Sequence, residues 1–288
     1  MNRSNNLAIG YEGKLGNDKL EKVEIGLLIE ALYQYYGHDF RGYSFSSIRR
    51  RIWHRVYEEK LTRISALTDQ ILHDPSCMNR LIRDFSINVT EMFRDPSFFL
   101  AFRRKAVPLL RTYPVIRIWI AGCSTGEEAY STAILLHEEG LYKKCRIYAT
   151  DMNEDVLKRA RSGVFPLQHM RDYTQNYLRS GGTSEFSGYY RWNEDSVQFH
   201  PDLMENIVFA KHNLATDRSF NEFNAIFCRN VLIYFDKALQ NHVHDLFYES
   251  LSIFGVLGLG IKESITFTKN SASYDILDAS EKLYRKCK

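Results

Sequence analysis

The stretch Val115-Ile116-Arg117-Ile118-Trp119-Ile120, running on through Ala121-Gly122-Cys123-Ser124-Thr125-Gly126 into Glu127-Glu128, decides the fold. Its first six residues are short, β-branched and apolar, the pattern of a strand buried on both faces. The glycines allow a sharp turn, and a helix is expected from Glu127 to about Glu139, stopped by Gly140. The same alternation continues downstream. A second strand over Cys145–Ala149 leads through Thr150-Asp151 into a helix over Asn153–Arg161. A third strand, Ile207–Ala210, ends near Asn213, and a fourth, Ala225–Cys228, ends at Arg229-Asn230. Asp236 to about Leu251 reads as a helix with Leu239, Val243, Leu246 and Phe247 inward, and the last strands are expected at Val256–Ile261, Ile265–Thr268 and Lys282–Lys286. Strand–helix alternation of this kind predicts a doubly wound α/β sheet that binds its ligand at the C-terminal strand ends.

The regions around that unit read differently. Residues 165–205 carry aromatic alternation (Tyr189, Tyr190 and Trp192, then Val197 and Phe199), which predicts a small antiparallel insertion in a domain spanning 113–288. Upstream, 19–112 is helical in pattern, with Leu61, Ile64, Thr68, Ile71 and Leu72 at helix spacing. Asp74-Pro75 and Asp95-Pro96 read as an N-cap followed by a first-turn proline. Residues 1–18 are polar and read as a loose tail.

Composition narrows the function class. The 288 residues are 44% hydrophobic and 25% charged, as in an ordinary soluble globular protein. No apolar run reaches the roughly 18 residues that a membrane span needs, and the N-terminus lacks the apolar segment of a signal peptide. Five scattered cysteines (Cys77, Cys123, Cys145, Cys228 and Cys287) form no CxxC pair, which argues against a disulfide framework and a zinc site and fits a reducing cytosol. The nine histidines form no ligand set: His242 and His244 are two apart on a helix and face different ways. A net charge of +3 is too small to imply nucleic acid.

The glycine turn also narrows the cofactor. The dinucleotide fingerprint fails because Ser124 stands where its middle glycine belongs, and no phosphate-binding lysine follows. Glu127 and Glu128 would repel a pyrophosphate and suit a cationic cofactor such as S-adenosylmethionine; alone, they would read more simply as surface glutamates of a tight turn. Asp151, about 25 residues after the turn, is placed to bind ribose hydroxyls or merely to cap the next helix. Together the two features point to a nucleoside without fixing the chemistry.

The segments AGCSTGEEAYS (121–131), RSGVF (161–165), HNL (212–214), FCRNVLIYF (227–235) and NVTEMFRD (88–95) resemble the CheR family of chemotaxis-receptor methyltransferases, from about Gly37 to the C-terminus. The resemblance implies a Rossmann-like class I S-adenosylmethionine-dependent methyltransferase domain after an all-helical N-terminal domain. It implies a protein-glutamate O-methyltransferase that esterifies methyl-accepting chemotaxis receptors in signal transduction, with S-adenosylhomocysteine as product. Carried over by residue, Asn88, Thr90 and Arg94 would reach the cofactor from the helical domain, with Gly122 at the turn. Glu128, or else Glu127, would meet its amino-acid end, and Asp151 its ribose. Asn213 and Leu214 would border the adenine, Arg229 and Asn230 would line the site, and Arg94 and Tyr234 would flank the methyl group. The family usually has proline at Ala129, aspartate at Asn224 and an aromatic at Met92.

A glutamate carboxylate is already ionised at neutral pH, so this chemistry needs no general base. The helix expected around Ser46–Arg55 would present Arg49, Arg50, Arg51 and Arg55 as a positive face for docking acidic receptor helices. The 165–205 insertion matches the β subdomain that some members use to tether a receptor peptide. The resemblance further implies a monomer in the cytoplasm at receptor arrays. The rival expectations are another acceptor such as RNA, and a non-catalytic cofactor sensor.

Overall fold

The computed structural model describes residues 18–85 and 90–288, so most of the expected tail and Asn88 lie outside the described residues. The chain forms two compact units that divide between Ile87 and Asn88.

The first unit is helical: α1 (Asp18–Tyr36), α2 (Phe45–Glu58), α3 (Ile64–His73) and α4 (Pro75–Phe85). Its core is the apolar stripe of each helix, with Leu28, Leu32, Ile52, Leu67, Ile71 and Leu81 fully buried. α4 opens as the Asp-Pro pair predicts, with Asp74 Oδ1 accepting the Ser76 amide at 2.8 Å. The four arginines of α2 do not share one open face. Arg51 is 4% exposed. Arg55 grips Asp84 with two hydrogen bonds of 2.7 and 2.8 Å and also meets Glu59, tying α2 to α4. Arg49 pairs with Glu21 at 2.8 Å, and Arg50 is exposed. An i, i+3, i+4 stripe turns Arg51 and Arg55 to the same inward side as Ile48 and Ile52, which corrects the expected positive face.

The second unit begins with α5 (Pro96–Lys105) and α6 (Val107–Leu110). The sequence placed these with the helical domain, up to residue 112. They instead pack in the sheet unit, because α5 is rich in phenylalanine: Phe98 and Phe102 meet Phe227 edge-on at 5.2 and 4.9 Å. β1 (Ile116–Ala121), α7 (Glu127–Glu138), β2 (Cys145–Asp151) and α8 (Glu154–Ser162) follow. Next come β3 (Val164–Pro166), α9 (Met170–Arg179), β4 (Tyr190–Asn193), β5 (Ser196–Phe199), β6 (Ile207–Lys211) and β7 (Phe223–Cys228). The chain ends with α10 (Lys237–Ser250), β8 (Leu251–Leu259), β9 (Tyr274–Asp278) and β10 (Leu283–Lys286).

Seven strands form one sheet in the order β6-β2-β1-β7-β8-β10-β9. β6, β2, β1, β7 and β8 are mutually parallel, and β10 runs antiparallel to both neighbours. The chain fills one side of β1 first and the other later, so the crevice above β1 is the topological switch point where ligands bind. Trp119 on β1 is fully buried, its indole N–H donating to Thr150 Oγ1 at 2.8 Å. β3, β5 and β4 form the separate antiparallel sheet expected of the insertion, which also contains the helix α9.

Two strand expectations need correction. Ile265–Thr268 is a turn, because the Thr268 amide and hydroxyl both bond back to the Ile265 carbonyl at 3.0 and 2.8 Å. The strand at the sheet edge beyond β10 is β9, and α10 gives way to β8 at Leu251.

A Cβ on Gly258 would lie 2.7 Å from the Phe98 ring and 3.1 Å from that of Phe227, so strand and helix meet there with no spare volume. Phe98→Ala should therefore cost about 3–5 kcal/mol, read as a lowered denaturation midpoint of the full chain. A shift below about 1 kcal/mol would show that the contact is slack.

Candidate active site

The site residues gather where the C-terminal ends of β1, β2 and β7 meet the start of α7. Gly122 (φ 77°) and Gly126 (φ 98°) take left-handed backbone that side chains rarely adopt. A Cβ on Gly122 would lie 2.5 Å from Val231, so the glycine turn and the segment after β7 touch directly. Asp151 ties the turn to β2: Oδ2 accepts the Ser124 amide and Oδ1 the Asn153 amide, each at 3.0 Å. Asp151 does not itself cap α8: the N-cap is Asn153, whose Oδ1 accepts the Asp155 amide at 2.9 Å, and each Asp151 oxygen keeps a further lone pair.

The two glutamates of the turn differ. Glu127 is 6% exposed and accepts the Thr125 hydroxyl at 2.7 Å. Glu128 keeps 15% side-chain exposure and accepts Arg229 Nη1 through Oε1 at 3.3 Å. Its Oε2 has no hydrogen bond among the described residues. Burial raises the carboxyl pKa of Glu127 and Asp151, partly countered by the hydrogen bonds they accept. Burial raises that of Glu128 too, against the pull of Arg229 and Arg94.

Arg229 is the hub. Its side chain is 2% exposed; besides Glu128, Nη2 donates to Asp95 Oδ2 and to the Arg94 carbonyl, both at 2.8 Å. The guanidinium also lies over the Phe98 ring, 4.1 Å from its centroid. Asp95 therefore does not cap α5 with its side chain, contrary to the Asp-Pro reading: its φ of 53° aims the carboxylate at Arg229. Thr90 and Arg94, both half-buried, belong to the same compact unit as the sheet, so no reach from the helical unit is involved.

The segment after β7 is held by a residue the sequence reading did not single out. The Glu263 carboxylate accepts the amides of Gly260 (2.7 Å), Val231 (2.9 Å) and Asn230 (3.0 Å), with Ile233 at 3.4 Å. Asn230 takes a φ of 61°, and its buried Oδ1 has no partner among the described residues. Tyr234, half-buried, closes the short 3₁₀ turn Leu232–Tyr234. Only an account of backbone donors would have found Glu263, since all its partners but Gly260 are amides about 30 residues away. Asn213 shapes its own loop, its Oδ1 accepting the Ala215 amide at 3.0 Å, while Leu214 is buried beside it.

Sequence profiles of known families identify the arrangement. The CheR methyltransferase SAM-binding domain matches residues 88–282, and the CheR all-alpha domain matches 24–86. The chain belongs to the CheR methyltransferase family. A Pseudomonas putida protein, Cher3, is 48% identical over 264 residues, covering 92% of this chain and 97% of its own. A chemotaxis protein methyltransferase of Listeria innocua is 29% identical over 87% of this chain and 92% of its own. A chemotaxis protein methyltransferase 2 of Pseudomonas aeruginosa is 31% identical over 69% and 70%. This CheR-family chain is accordingly an S-adenosylmethionine-dependent methyltransferase. Its residues suit that cofactor: Glu127, Glu128, Asp95 and Asp151 outnumber the one buried guanidinium among them, leaving the cleft anionic for a ligand with an ammonium and a sulfonium. Among the described residues, no group of three His, Cys, Asp or Glu is arranged to hold a metal ion, and no helix is long and apolar enough to cross a membrane.

Two predictions follow from the buried carboxylates. Their raised pKa values mean that protons bind at higher pH than on free carboxylates, and the protonated forms no longer attract a cation. S-adenosylmethionine affinity, measured by calorimetry, should thus be full near neutral pH and fall with acidification, starting above the usual carboxylate range of about 4.3. A flat profile down to that range would remove the electrostatic account. Separately, Glu263→Gln turns an acceptor oxygen toward backbone donors as an NH₂ group. It should lower stability by about 1–3 kcal/mol and weaken cofactor binding, whereas unchanged thermal stability would refute the anchoring role.

Proposed function

We propose that this protein transfers a methyl group from S-adenosylmethionine to glutamate carboxylates of methyl-accepting chemotaxis receptors, forming methyl esters. The observation that carries this reading is the convergence on Arg229 of Arg94 and the segment bearing Tyr234: Arg229 bonds the Arg94 carbonyl and directly precedes Asn230–Tyr234. A cationic side chain and a phenol on joined segments suit an acceptor that is itself a carboxylate.

Bound S-adenosylmethionine supplies an electrophilic methyl on its sulfonium. The acceptor carboxylate is ionised at neutral pH, so the protein need not remove a proton. Its work is to orient the carboxylate in line with the methyl and exclude water. In this reading Arg94 orients the acceptor, and Tyr234 hydrogen-bonds it or seats the methyl. Glu128 receives the cofactor ammonium through its open Oε2, a better candidate than Glu127, whose carboxylate is turned to Thr125. Asp151 holds the ribose, Asn213 and Leu214 border the adenine, and Gly122 gives the backbone its close approach. Thr90 and Asn230 line the cleft, with Asn88 assigned from sequence alone. Arg229 acts as a positioning residue, because both its terminal nitrogens are engaged by protein groups. The protein would work as a monomer in the cytoplasm at receptor arrays, with Arg49 and Arg50 as the accessible docking arginines. The burial of Arg51 and the pairing of Arg55 remove most of the support for RNA as acceptor.

Incubation with radiolabelled S-adenosylmethionine and receptor-rich membranes should give base-labile label on receptor glutamates, and Arg94→Ala should cut turnover about 100-fold. Cofactor binding without ester label would overturn the reading; unchanged turnover in Arg94→Ala would overturn the role of Arg94.

A further inference from the structure

Beside the Leu232–Tyr234 turn lies a cavity of about 390 Å³ that the cofactor site does not use. Its lining comes from two stretches of chain, Ile233, Lys237 and His244 in one and Lys262, Glu263, Thr266 and Phe267 in the other. Three features set it apart from ordinary surface.

The first is Phe267. It is 87% exposed and takes a φ of 71°, a left-handed backbone costly for a bulky residue. The turn fixed by Thr268 holds it there, yet the fold gains almost no apolar burial in return. Ile233, also in the lining, is 37% exposed.

The second is charge. Neither Lys237 nor Lys262 has an ion-pair partner among the described residues. The Glu263 carboxylate is directed to the backbone amides of 230–233 and Gly260 rather than to either lysine, and burial raises its pKa, which favours the uncharged form. Burial lowers the His244 pKa to about 4, so its imidazole is neutral near pH 7 and repels no cation. The cavity lining thus carries two ammonium groups without ion-pair partners among the described residues, beside the exposed Ile233 and Phe267.

The third is position. Leu232 and Ile233 of the lining belong to the same turn as Tyr234, so the cavity adjoins the segment that carries the proposed methyl-flanking phenol.

We propose that this cavity is the subsite for the acceptor segment flanking the methylated glutamate. It would take an acidic side chain between Lys237 and Lys262, with an adjacent apolar residue on Phe267 and Ile233. The inference rests on the reading that the acceptor is a glutamate-bearing protein, and it adds the residues that select its local sequence. An acceptor with a second carboxylate close to the reactive one would be preferred, since the two lysines reward it.

The test uses the full chain and a purified cytoplasmic fragment of a methyl-accepting chemoreceptor. The variants are Lys237→Glu combined with Lys262→Glu, and Phe267→Ala; Lys262→Arg serves as the conservative control. Each charge-reversed or Phe267 variant should raise KM for the receptor fragment about tenfold, with kcat and calorimetric S-adenosylmethionine affinity unchanged and Lys262→Arg close to wild type. The salt dependence of the wild-type KM should flatten in the charge-reversed variant. An unchanged receptor KM in variants that bind cofactor normally would overturn the subsite. So would a loss of cofactor affinity, which would assign these residues to the cofactor site or the fold. If the wild-type enzyme itself leaves the fragment unlabelled, the glutamate-acceptor reading fails, and the subsite with it. Labelling of RNA in its place, weakened by the same variants, would reassign the cavity to another acceptor class and overturn the proposal.

Discussion

A guanidinium removed from water must find its counter-charges and acceptors within the protein, and the site is arranged around that requirement at Arg229. Its carboxylate partners come from the start of α7 (Glu128) and from the loop before α5 (Asp95), and its carbonyl acceptor is Arg94. Removing one partner would leave a buried charge uncompensated, typically at a cost of about 3–5 kcal/mol. The ion pairs thus do more than add stability. They hold the end of β7, the cofactor turn and the Arg94 loop in one geometry, and they fix which oxygen of Glu128 stays open.

That geometry is costly in backbone terms. Phe93, Asp95, Ser124 and Asn230 all take positive φ values although none is glycine. Such residues persist where their surroundings over-determine them. Here the restraints are visible: the Phe93 amide donates to Ser131 Oγ at 2.8 Å, the Ser124 amide to Asp151, and the Asn230 amide to Glu263. Each restraint crosses between chain segments, so the cleft is pre-organised before any ligand arrives. Pre-organised polar groups need no reorientation as charge moves during reaction.

The same arrangement divides the labour between carboxylates. Glu263 and Glu127 are directed inward to backbone and hydroxyl donors, whereas Glu128 and Asp151 keep acceptor capacity toward the cleft. Burial favours the neutral form of all four, and a cationic cofactor relieves that cost. The cleft therefore selects by charge before it selects by shape. In the proposed reading, an anionic acceptor would be held by Arg94 and by Lys237 and Lys262.

The β1–turn–α7 unit, the order of strands through β7 and the glycine turn were legible in sequence because they depend on local patterns: buried β-branched runs, glycine at positive φ, and the period of a helix. Asp151 and Glu128 were legible for the same reason, since they follow their strands at short range. Other features depend on partners far away in the chain. The helices after Asp95 read as part of the helical domain until Phe98 and Phe102 are seen against Phe227. The arginines of α2 read as a positive face until Arg51 is buried and Arg55 finds Asp84. Glu263 gave no signal at all, because its function is to accept amides that only the folded chain brings to it. Sequence by itself determined the parallel strands and the glycine turn, which follow from backbone preference and hydrophobic period. Tertiary structure alone decided which charges are buried, which are paired and which remain open, because desolvation and ion pairing depend on neighbours in space.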